Sequence, residues 1–207
     1  MLDYEAETRK AWRKNFDSGD LTDPAAFCEL TGYSRDVVER RIREDEMFKW
    51  HFVKPPVKQG IHEKIAAEFI GSLPGITDFH NHGTKDLNLV EGDVIPRERL
   101  GRIKPKCKSI DFSWKYNRTM FYASHKYTKE SGGTQDSQYK DLQCFIREAL
   151  KVGGARVFVA IADGRYYDLF DTQAGKTRMS YLQSLAGADH VWATCIDNLE
   201  HLLRDKF

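Results

Sequence analysis

The spacing of apolar residues along this chain predicts a mixture of helices and strands. Apolar positions at helical spacing predict an amphipathic helix over residues 58–71. Residues 107–115 and 118–127 alternate between polar and apolar side chains, a pattern typical of neighbouring strands with one buried face. Between the helix and these strands, residues 72–105 are rich in Gly, Asp, Asn and Pro, which favours short strands and loops.

The rest of the chain continues this alternation of helix and strand. The pattern predicts a helix over 134–151, ended by Gly153-Gly154, a buried strand over 155–164, a helix over 177–186, a strand over 190–196 and a closing helix over 198–207. Together these elements predict an α/β fold with a mixed central sheet flanked by helices.

The first 56 residues differ from the rest because they are helical in pattern and dense in charge. A helix is predicted over residues 4–16, a second begins at Asp23-Pro24, and Ser34 is placed to cap a third over 35–50. We therefore expect a helical N-terminal segment over 1–56 and a core over 57–207. The charged third helix is either a solvated face or a contact to DNA or to a second subunit through four arginines: Arg35, Arg40, Arg41 and Arg43.

Composition narrows the range of functions. The formal net charge is +1, so any nucleic-acid surface must be a local basic patch. The four cysteines lie far apart without a CxxC pair, which favours reduced thiols in a cytoplasmic protein over a zinc site or disulfides. No apolar run reaches the length of a membrane span, so no membrane association is expected.

The two predicted strands carry the candidate chemistry. Period-two alternation places Ser124 and Lys126 on one face of the second strand, where they can meet Asp111 on the first. Phosphodiester hydrolysis needs a divalent cation, a positioned water and compensation for charge on the leaving oxygen. A carboxylate suits Mg²⁺, and a nearby lysine orients the water or offsets the charge.

In this order the residues resemble the PD-(D/E)XK nuclease superfamily, in particular type II restriction endonucleases. Ile110-Asp111 stands where that family has Pro-Asp, and Ser124-His125-Lys126 stands where it has (Asp/Glu)-x-Lys. The resemblance covers about residues 58–207. It implies a restriction-endonuclease-like fold and Mg²⁺-dependent, sequence-specific cleavage of double-stranded DNA by a homodimer. Within that resemblance, Asp111 binds the metal and Lys126 acts on the attacking water.

The sequence departs from the family pattern at Ser124, where a carboxylate is expected. Some members of the superfamily recruit the missing acid from a neighbouring helix. Glu63, on the helix before the strands, is the favoured replacement and second metal ligand, with Asp136 and Asp141 as alternatives.

Further residues are candidates for DNA contacts. A basic run over 97–108 and flanking positions supply cations for phosphates, and the opening of the helix after residue 132 supplies amide and acid groups. These candidates are Lys85, Arg102, Lys104, Lys106, Lys129, Gln135 and Asp136. Gln135 and Tyr139 also have the Gln-x-x-x-Tyr spacing of some relatives that process DNA ends, whereas Gln135 and Asp136 are equally suited to capping the helix.

A rival motif precedes the basic run. Residues 73–83, LPGITDFHNHG, resemble the first metal-binding strand of amidohydrolase barrels, with His80 and His82 on one face. That motif opens a (β/α)₈ barrel, which takes about 250 residues, and too few follow His82 here. A compact metal hydrolase using His80 and His82 is one alternative function. A catalytically inactive DNA-binding module is another, suggested by the missing acid at Ser124.

Overall fold

A computed structural model describes residues 2–82, 86–102, 110–129, 133–187 and 189–207, with the backbone alone for 133–135. By their internal contacts the residues group into two compact units. One comprises Asp3–Ile65, and the other comprises Ala66–Phe207 together with Leu2. The boundary falls inside one helix, and residues 3–56 of the predicted N-terminal segment belong to the first unit.

The N-terminal unit is helical. Its elements are α1 (Tyr4–Ser18), α2 (Ala25–Thr31), α3 (Arg35–Glu44), α4 (Glu46–Trp50), a 3₁₀ turn at Pro56–Gln59 and the start of α5 (Ile61–Ser72). Its small core consists of Val38, Ile42 and Phe52 with partly buried residues around them. Ring contacts of Phe27 with Phe48 and Phe52, at 5.7 and 5.4 Å between centroids, hold α2 against the segment after α3.

The predicted single helix over 35–50 is wrong at Asp45. That residue leaves helical geometry, with φ −127° and ψ 105°, and its carboxylate accepts a hydrogen bond from Phe48 N at 3.0 Å. An aspartate that caps a new helix in this way competes with continuation of the old one. The chain therefore forms α3 and α4 as two helices.

The second unit contains the sheet. Its elements are β1 (Ile76–Asn81), β2 (Leu87–Val90), β3 (Asp93–Pro96), β4 (Phe112–Tyr116), β5 (Thr119–Tyr127), α6 (Gly133–Ala149), β6 (Arg156–Asp163), β7 (Phe170–Asp171), β8 (Lys176–Thr177), α7 (Arg178–Ala186), β9 (Val191–Thr194) and α8 (Leu199–Lys206). The predicted helix over 134–151 ends at Ala149, before the two glycines.

In the described residues the main sheet has five strands in the order β1-β4-β5-β6-β9. The β1–β4 and β4–β5 pairs are antiparallel, and the β5–β6 and β6–β9 pairs are parallel. The parallel pair β5–β6 is joined through α6, because parallel neighbours require a crossover connection. The mixed α/β class and the flanked mixed sheet are therefore confirmed.

Both faces of the sheet are covered. On one face, Phe145 and Ile146 of α6 and Leu182 of α7 pack with small and aromatic residues of β6 in the main core. On the other, Trp114 stacks on Phe121 with ring centroids 5.4 Å apart, and Phe207 packs edge-on against Phe121. Burial of this apolar surface is the main stabilising term of the unit. None of the helices in the described ranges has both the length and the apolar character that a bilayer crossing requires.

Candidate active site

The antiparallel pair β4–β5 positions the three predicted strand residues. Asp111 directly precedes β4 and donates its backbone N–H to Ala123 O at 2.8 Å, which sets it beside Ser124 on β5. Lys126 lies two residues further on and shares the face of Ser124. The Lys126 ammonium is 2.9 Å from Asp111 Oδ2, and Ser124 Oγ is 3.3 Å from the same oxygen. The structure therefore brings these three residues together.

The two oxygens of the Asp111 carboxylate differ in their hydrogen bonds. Its Oδ2 also accepts the backbone N–H of His125 at 2.7 Å, so three donors converge on one oxygen. Oδ1 accepts no hydrogen bond from any residue in the described ranges. The side chains of Asp111 and Lys126 are only 12% and 13% exposed. Water therefore screens this charge pair poorly, and one carboxylate oxygen is left for a further ligand.

Two hydrogen bonds likewise fix the position of the Lys126 ammonium. Its ammonium donates to Asp111 Oδ2 and to the carbonyl oxygen of His125, the latter at 2.7 Å. An ammonium carries three N–H groups. The third has no partner among the residues described, so it can donate to a substrate oxygen or to a water.

A buried pair beneath the strand was not predicted from the sequence. His125 points to the opposite face from Lys126, as alternation predicted, and its Nε2 lies 3.1 Å from Asp163 Oδ2. Both side chains are nearly fully buried, and Asp163 Oδ1 accepts the backbone N–H of Ile196 at 2.8 Å. Asp163 thus connects β5 to the turn after β9. Its signal in the sequence was an acid ending an otherwise apolar strand, where the carboxyl ends of parallel strands meet.

The residue after Asp163 fixes this junction. Gly164 has a φ of +98°, and a Cβ at this position would overlap the carbonyl oxygen of Thr128. Only glycine fits such a close approach of two backbones at a positive φ. The backbone N–H of Thr128 in turn donates to Asp163 O at 2.7 Å.

The two histidines of the rival motif lie beside the same carboxylate. A bulge in β1 between Thr77 and His80 shifts the register, so that His80 pairs with Ser113. The backbone N–H of His82 then donates to Asp111 O at 2.9 Å, and its Nε2 lies 2.7 Å from Ser113 Oγ. Burial, followed by the nearby His80, lowers the pKa of His82 below its ordinary value. The two competing motifs therefore meet at one edge of the sheet.

Among the described residues, no third metal-ligating side chain accompanies the histidine pair. The two imidazole rings are 6.1 Å apart. Within the described residues, no group of three His, Cys, Asp or Glu side chains is arranged to hold a metal ion. A tetrahedral zinc site takes at least three protein ligands. The open mixed sheet of the described ranges also differs from the closed barrel in which that motif occurs.

The other candidate acids lie on helices. Glu63 is in the first turn of α5 and belongs to the N-terminal unit. Asp136 is in the first turn of α6, where its Oδ1 accepts a hydrogen bond from the Tyr166 hydroxyl. Asp141 follows in the same helix. The carboxylate of Asp136 is therefore held by Tyr166.

Tyr139 has a structural role in this geometry. Its ring is 6% exposed within the main core, and its hydroxyl donates to Asp171 Oδ2 at 3.1 Å. Arg178 lies 4.0 Å over the ring of neighbouring Tyr166. Burial, together with the hydrogen bond to Asp136, raises the pKa of Tyr166 to about 12. These contacts join α6 to β7, to the 3₁₀ turn before β7 and to α7, so the hydroxyl of Tyr139 has a structural partner.

The structure describes only some of the residues predicted to contact DNA. Arg102 lies in an exposed turn, and Lys129 lies exposed just after β5. Lys85, Lys104 and Lys106 fall outside the described residues, and for Gln135 the structure describes only the helical backbone.

Comparison with known proteins adds no assignment. No family model, no curated protein and no solved structure matches this chain. The functional argument therefore rests on the geometry around Asp111 and Lys126.

Proposed function

We propose that this protein is a Mg²⁺-dependent, sequence-specific endonuclease of double-stranded DNA, acting as a homodimer in the manner of a type II restriction enzyme. The observation that carries the proposal is the shielded contact between Asp111 Oδ2 and the Lys126 ammonium, 2.9 Å apart on neighbouring strands. A carboxylate and a lysine in this relation serve phosphodiester hydrolysis directly.

The order of elements supports the finer fold assignment. A helix, α5, precedes an antiparallel run of three strands, and α6 then leads to a parallel fourth strand. Asp111 precedes the second of these strands and Lys126 lies on the third. This is the arrangement that the resemblance to PD-(D/E)XK nucleases implies, with the helices on both sides of the sheet.

The residues present suit a magnesium ion. Mg²⁺ prefers oxygen ligands and is commonly held by one or two carboxylates together with waters and substrate phosphates. Asp111 Oδ1 is available, and the carbonyl oxygen of His125 lies on the same segment and retains a second lone pair beside its bond to Lys126. Asp111 and this carbonyl would hold the ion, and Glu63 remains the predicted second carboxylate.

In the proposed reaction, a water oxygen attacks phosphorus and one P–O ester bond breaks. One fragment keeps the phosphate, and the leaving oxygen of the other takes up a proton. A bound Mg²⁺ would neutralise phosphate charge and make the attacking water more acidic. Lys126 directs its third N–H at the water or at a phosphate oxygen. Ser124 orients the Asp111 carboxylate through its hydroxyl and adds no charge.

The test is cleavage of plasmid and phage DNA with Mg²⁺, by the wild type and by Asp111→Ala and Lys126→Ala variants. We expect discrete fragments from the wild type, because a sequence-specific enzyme cuts at fixed positions, and none when Mg²⁺ is chelated or either residue is replaced. Wild-type protein that leaves a wide range of DNA intact would refute the proposal. Cleavage that persists in both variants would refute the assigned site.

One observation favours a second function. In the described residues a serine stands at position 124 beside Asp111, where the nuclease pattern has a second acid, which suits a DNA-binding module that has lost catalysis. Specific DNA retention in gel shifts, with no cutting at any Mg²⁺ concentration, would support this alternative over the endonuclease.

A further inference from the structure

The N-terminal unit carries an aromatic and basic groove on its surface, which we name the Arg–Trp groove. It is lined by Arg9, Trp12 and Arg13 of α1 and by Trp50 at the end of α4. Residues 9, 12 and 13 share one face of α1, because positions three and four apart on a helix are neighbours. The groove therefore combines two indole rings with two guanidinium groups.

The aromatic floor of the groove is held by packing. The ring of Trp50 stacks on buried Phe16, with centroids 4.4 Å apart and an interplanar angle of 19°. Trp12 lies 6.2 Å from Trp50 at an angle of 44°. Trp50 nevertheless remains 39% exposed. A large aromatic ring held in place and left accessible is a surface that favours stacking of another planar group.

The charge around these rings is positive and little neutralised. Arg13 has no ion-pair partner among the described residues, and the carboxylate nearest to Arg9 is that of Glu5, at 3.9 Å. Lys49 adds a third cation, 4.2 Å over the ring of Phe16.

The arginines of α3 provide the contrast. Arg35 is 2.6 Å from Glu39 and 3.4 Å from Asp23, and Arg41 is 3.0 Å from Asp45. Two of the four arginines that the sequence suggested for DNA contact are thus neutralised within the unit. In the Arg–Trp groove, Arg13 has no such partner among the described residues and Arg9 has only the 3.9 Å contact with Glu5, so their charge is more available to an external partner.

We propose that the Arg–Trp groove binds a single-stranded segment of nucleic acid. An unpaired base stacks on the exposed indole, and the flanking phosphates pair with Arg9 and Arg13. Exposed aromatic rings beside cations are what single-strand binding requires, since every base has a stacking face and every linkage a charge. In a duplex the bases are stacked on one another, so a duplex offers this groove only its phosphates. The inference does not require that the protein cleave DNA.

The test uses the full-length protein with Asp111→Ala in the presence of a chelator, so that cleavage plays no part in the readout. Binding of a labelled oligothymidylate of about 12 nucleotides, a common site size for single strands, is followed by fluorescence anisotropy. We expect Arg9→Ala/Arg13→Ala to weaken binding at least about tenfold. It should also reduce the slope of log affinity against log salt by about 1.4, since each phosphate contact contributes about 0.7.

Tryptophan fluorescence provides the second readout. Of the four tryptophans, Trp114 and Trp192 are 0% and 5% exposed in the other unit. Quenching by bound bases therefore reports on Trp12 and Trp50. We expect quenching by the single strand and its loss in Trp50→Ala. Because Trp50 packs on Phe16, circular dichroism must show that this variant is folded, and the arginine variant tests the proposal without disturbing that packing.

The matched control is Arg35→Ala/Arg41→Ala, which removes the same charge from paired positions of the same unit. We expect its affinity to stay within about twofold, because neutralised surface charges contribute little. Equal weakening by both double variants would overturn the proposal, as would saturation without quenching. Binding of polyglutamate or of a duplex of equal length as tightly as the single strand would also overturn it, since the groove would then recognise a peptide or charge alone.

Discussion

Two aspartate–lysine pairs join neighbouring strands of the same sheet, and they differ in almost everything except distance. Asp78 on β1 lies 2.8 Å from Lys115 on β4, and their side chains are 58% and 50% exposed. Asp111 lies 2.9 Å from Lys126, and their side chains are 12% and 13% exposed. Separation alone therefore cannot distinguish a surface ion pair from a candidate catalytic one.

The hydrogen bonds around each carboxylate make the distinction. Asp111 Oδ2 receives a hydroxyl, a backbone N–H and an ammonium, which together fix its orientation. Among the described residues, the carboxylate of Asp78 forms an ion pair with Lys115 alone, in a bulged part of the edge strand β1. An exposed pair is screened by water and holds two side chains at an entropic cost, so it adds little. The shielded, oriented pair therefore has the geometry that the proposed site requires.

The largest expected effect comes from breaking each pair in turn. Asp111→Ala and Lys126→Ala should lower the rate of Mg²⁺-dependent DNA cleavage by about 1,000-fold, which corresponds to about 4 kcal/mol in the barrier. Asp78→Ala and Lys115→Ala, the matched controls, should leave the rate within about twofold, because solvent already screens that pair. Single-turnover cleavage rates measure the difference. Equal losses at both pairs would remove the distinction that burial is meant to make.

The second effect concerns stability beneath the shielded pair. Asp163→Ala removes the acceptor of the buried Ile196 N–H and the contact of His125 Nε2, and leaving a buried polar group without its partner costs about 1–3 kcal/mol. We expect Asp163→Asn to cost less, because its side-chain oxygen can still accept from Ile196. Urea denaturation of both variants measures these losses. Asp78→Ala is again the control and should leave the midpoint unchanged within error, and a comparable loss there would contradict the contrast.

The sequence predicted that Asp111 and Lys126 would meet, but it did not predict that Asp163 and His82 would lie near them. Side chains alternate strictly along a strand, so the meeting of Asp111, Ser124 and Lys126 needed only the assumption that the two strands are neighbours. Asp163 and His82 reach the same region through the β5–β6 pairing and through a bulge in β1. Partners that are distant in sequence and shifts of one residue leave no periodic pattern.

Local competition explains the errors at helix ends. The apolar pattern continued through Asp45, but the side chain of this residue caps a new helix. The pattern also continued toward Gly153, whereas α6 ends at Ala149 and the chain then turns toward β6. Periodicity reports the buried face of a helix and says little about where its backbone hydrogen bonds end.

The third prediction concerns the acid missing at Ser124. If Glu63 supplies that acid, as the sequence suggests, Glu63→Gln should lower cleavage at limiting Mg²⁺ by about 10–100-fold, the range found when groups supporting a metal site are removed. Ser124→Asp in the Glu63→Gln background should then recover part of the loss, since it returns a carboxylate beside Asp111. Glu68→Gln, an exposed change on the same helix, is the control. Relative to Glu63→Gln alone, the variant that also carries Ser124→Asp should show a lower half-saturating Mg²⁺ concentration. A Glu63→Gln variant with wild-type Mg²⁺ dependence would exclude Glu63.

The smallest effect is a pH dependence at the edge of the shielded site. The pKa of His82 lies below its ordinary value of 6.5, mainly because of burial. The unfolded chain therefore binds a proton that the folded chain resists. Stability rises with pH wherever the unfolded state holds more protons, so His82 should destabilise the fold as the pH falls below 6.5 toward its folded pKa.

Urea denaturation at pH 7.5 and 5.5, in a chelator, measures this effect for the wild type and for His82→Gln. Because glutamine does not titrate in this range, the variant should lose less stability than the wild type on acidification. His80→Gln is the control, since His80 is exposed on β1, whereas His82, just after that strand, is half-buried against Ser113. If both variants follow the wild-type curve, the imidazole of His82 is as well solvated as an exposed one, and the shielding of the site does not extend beyond Asp111.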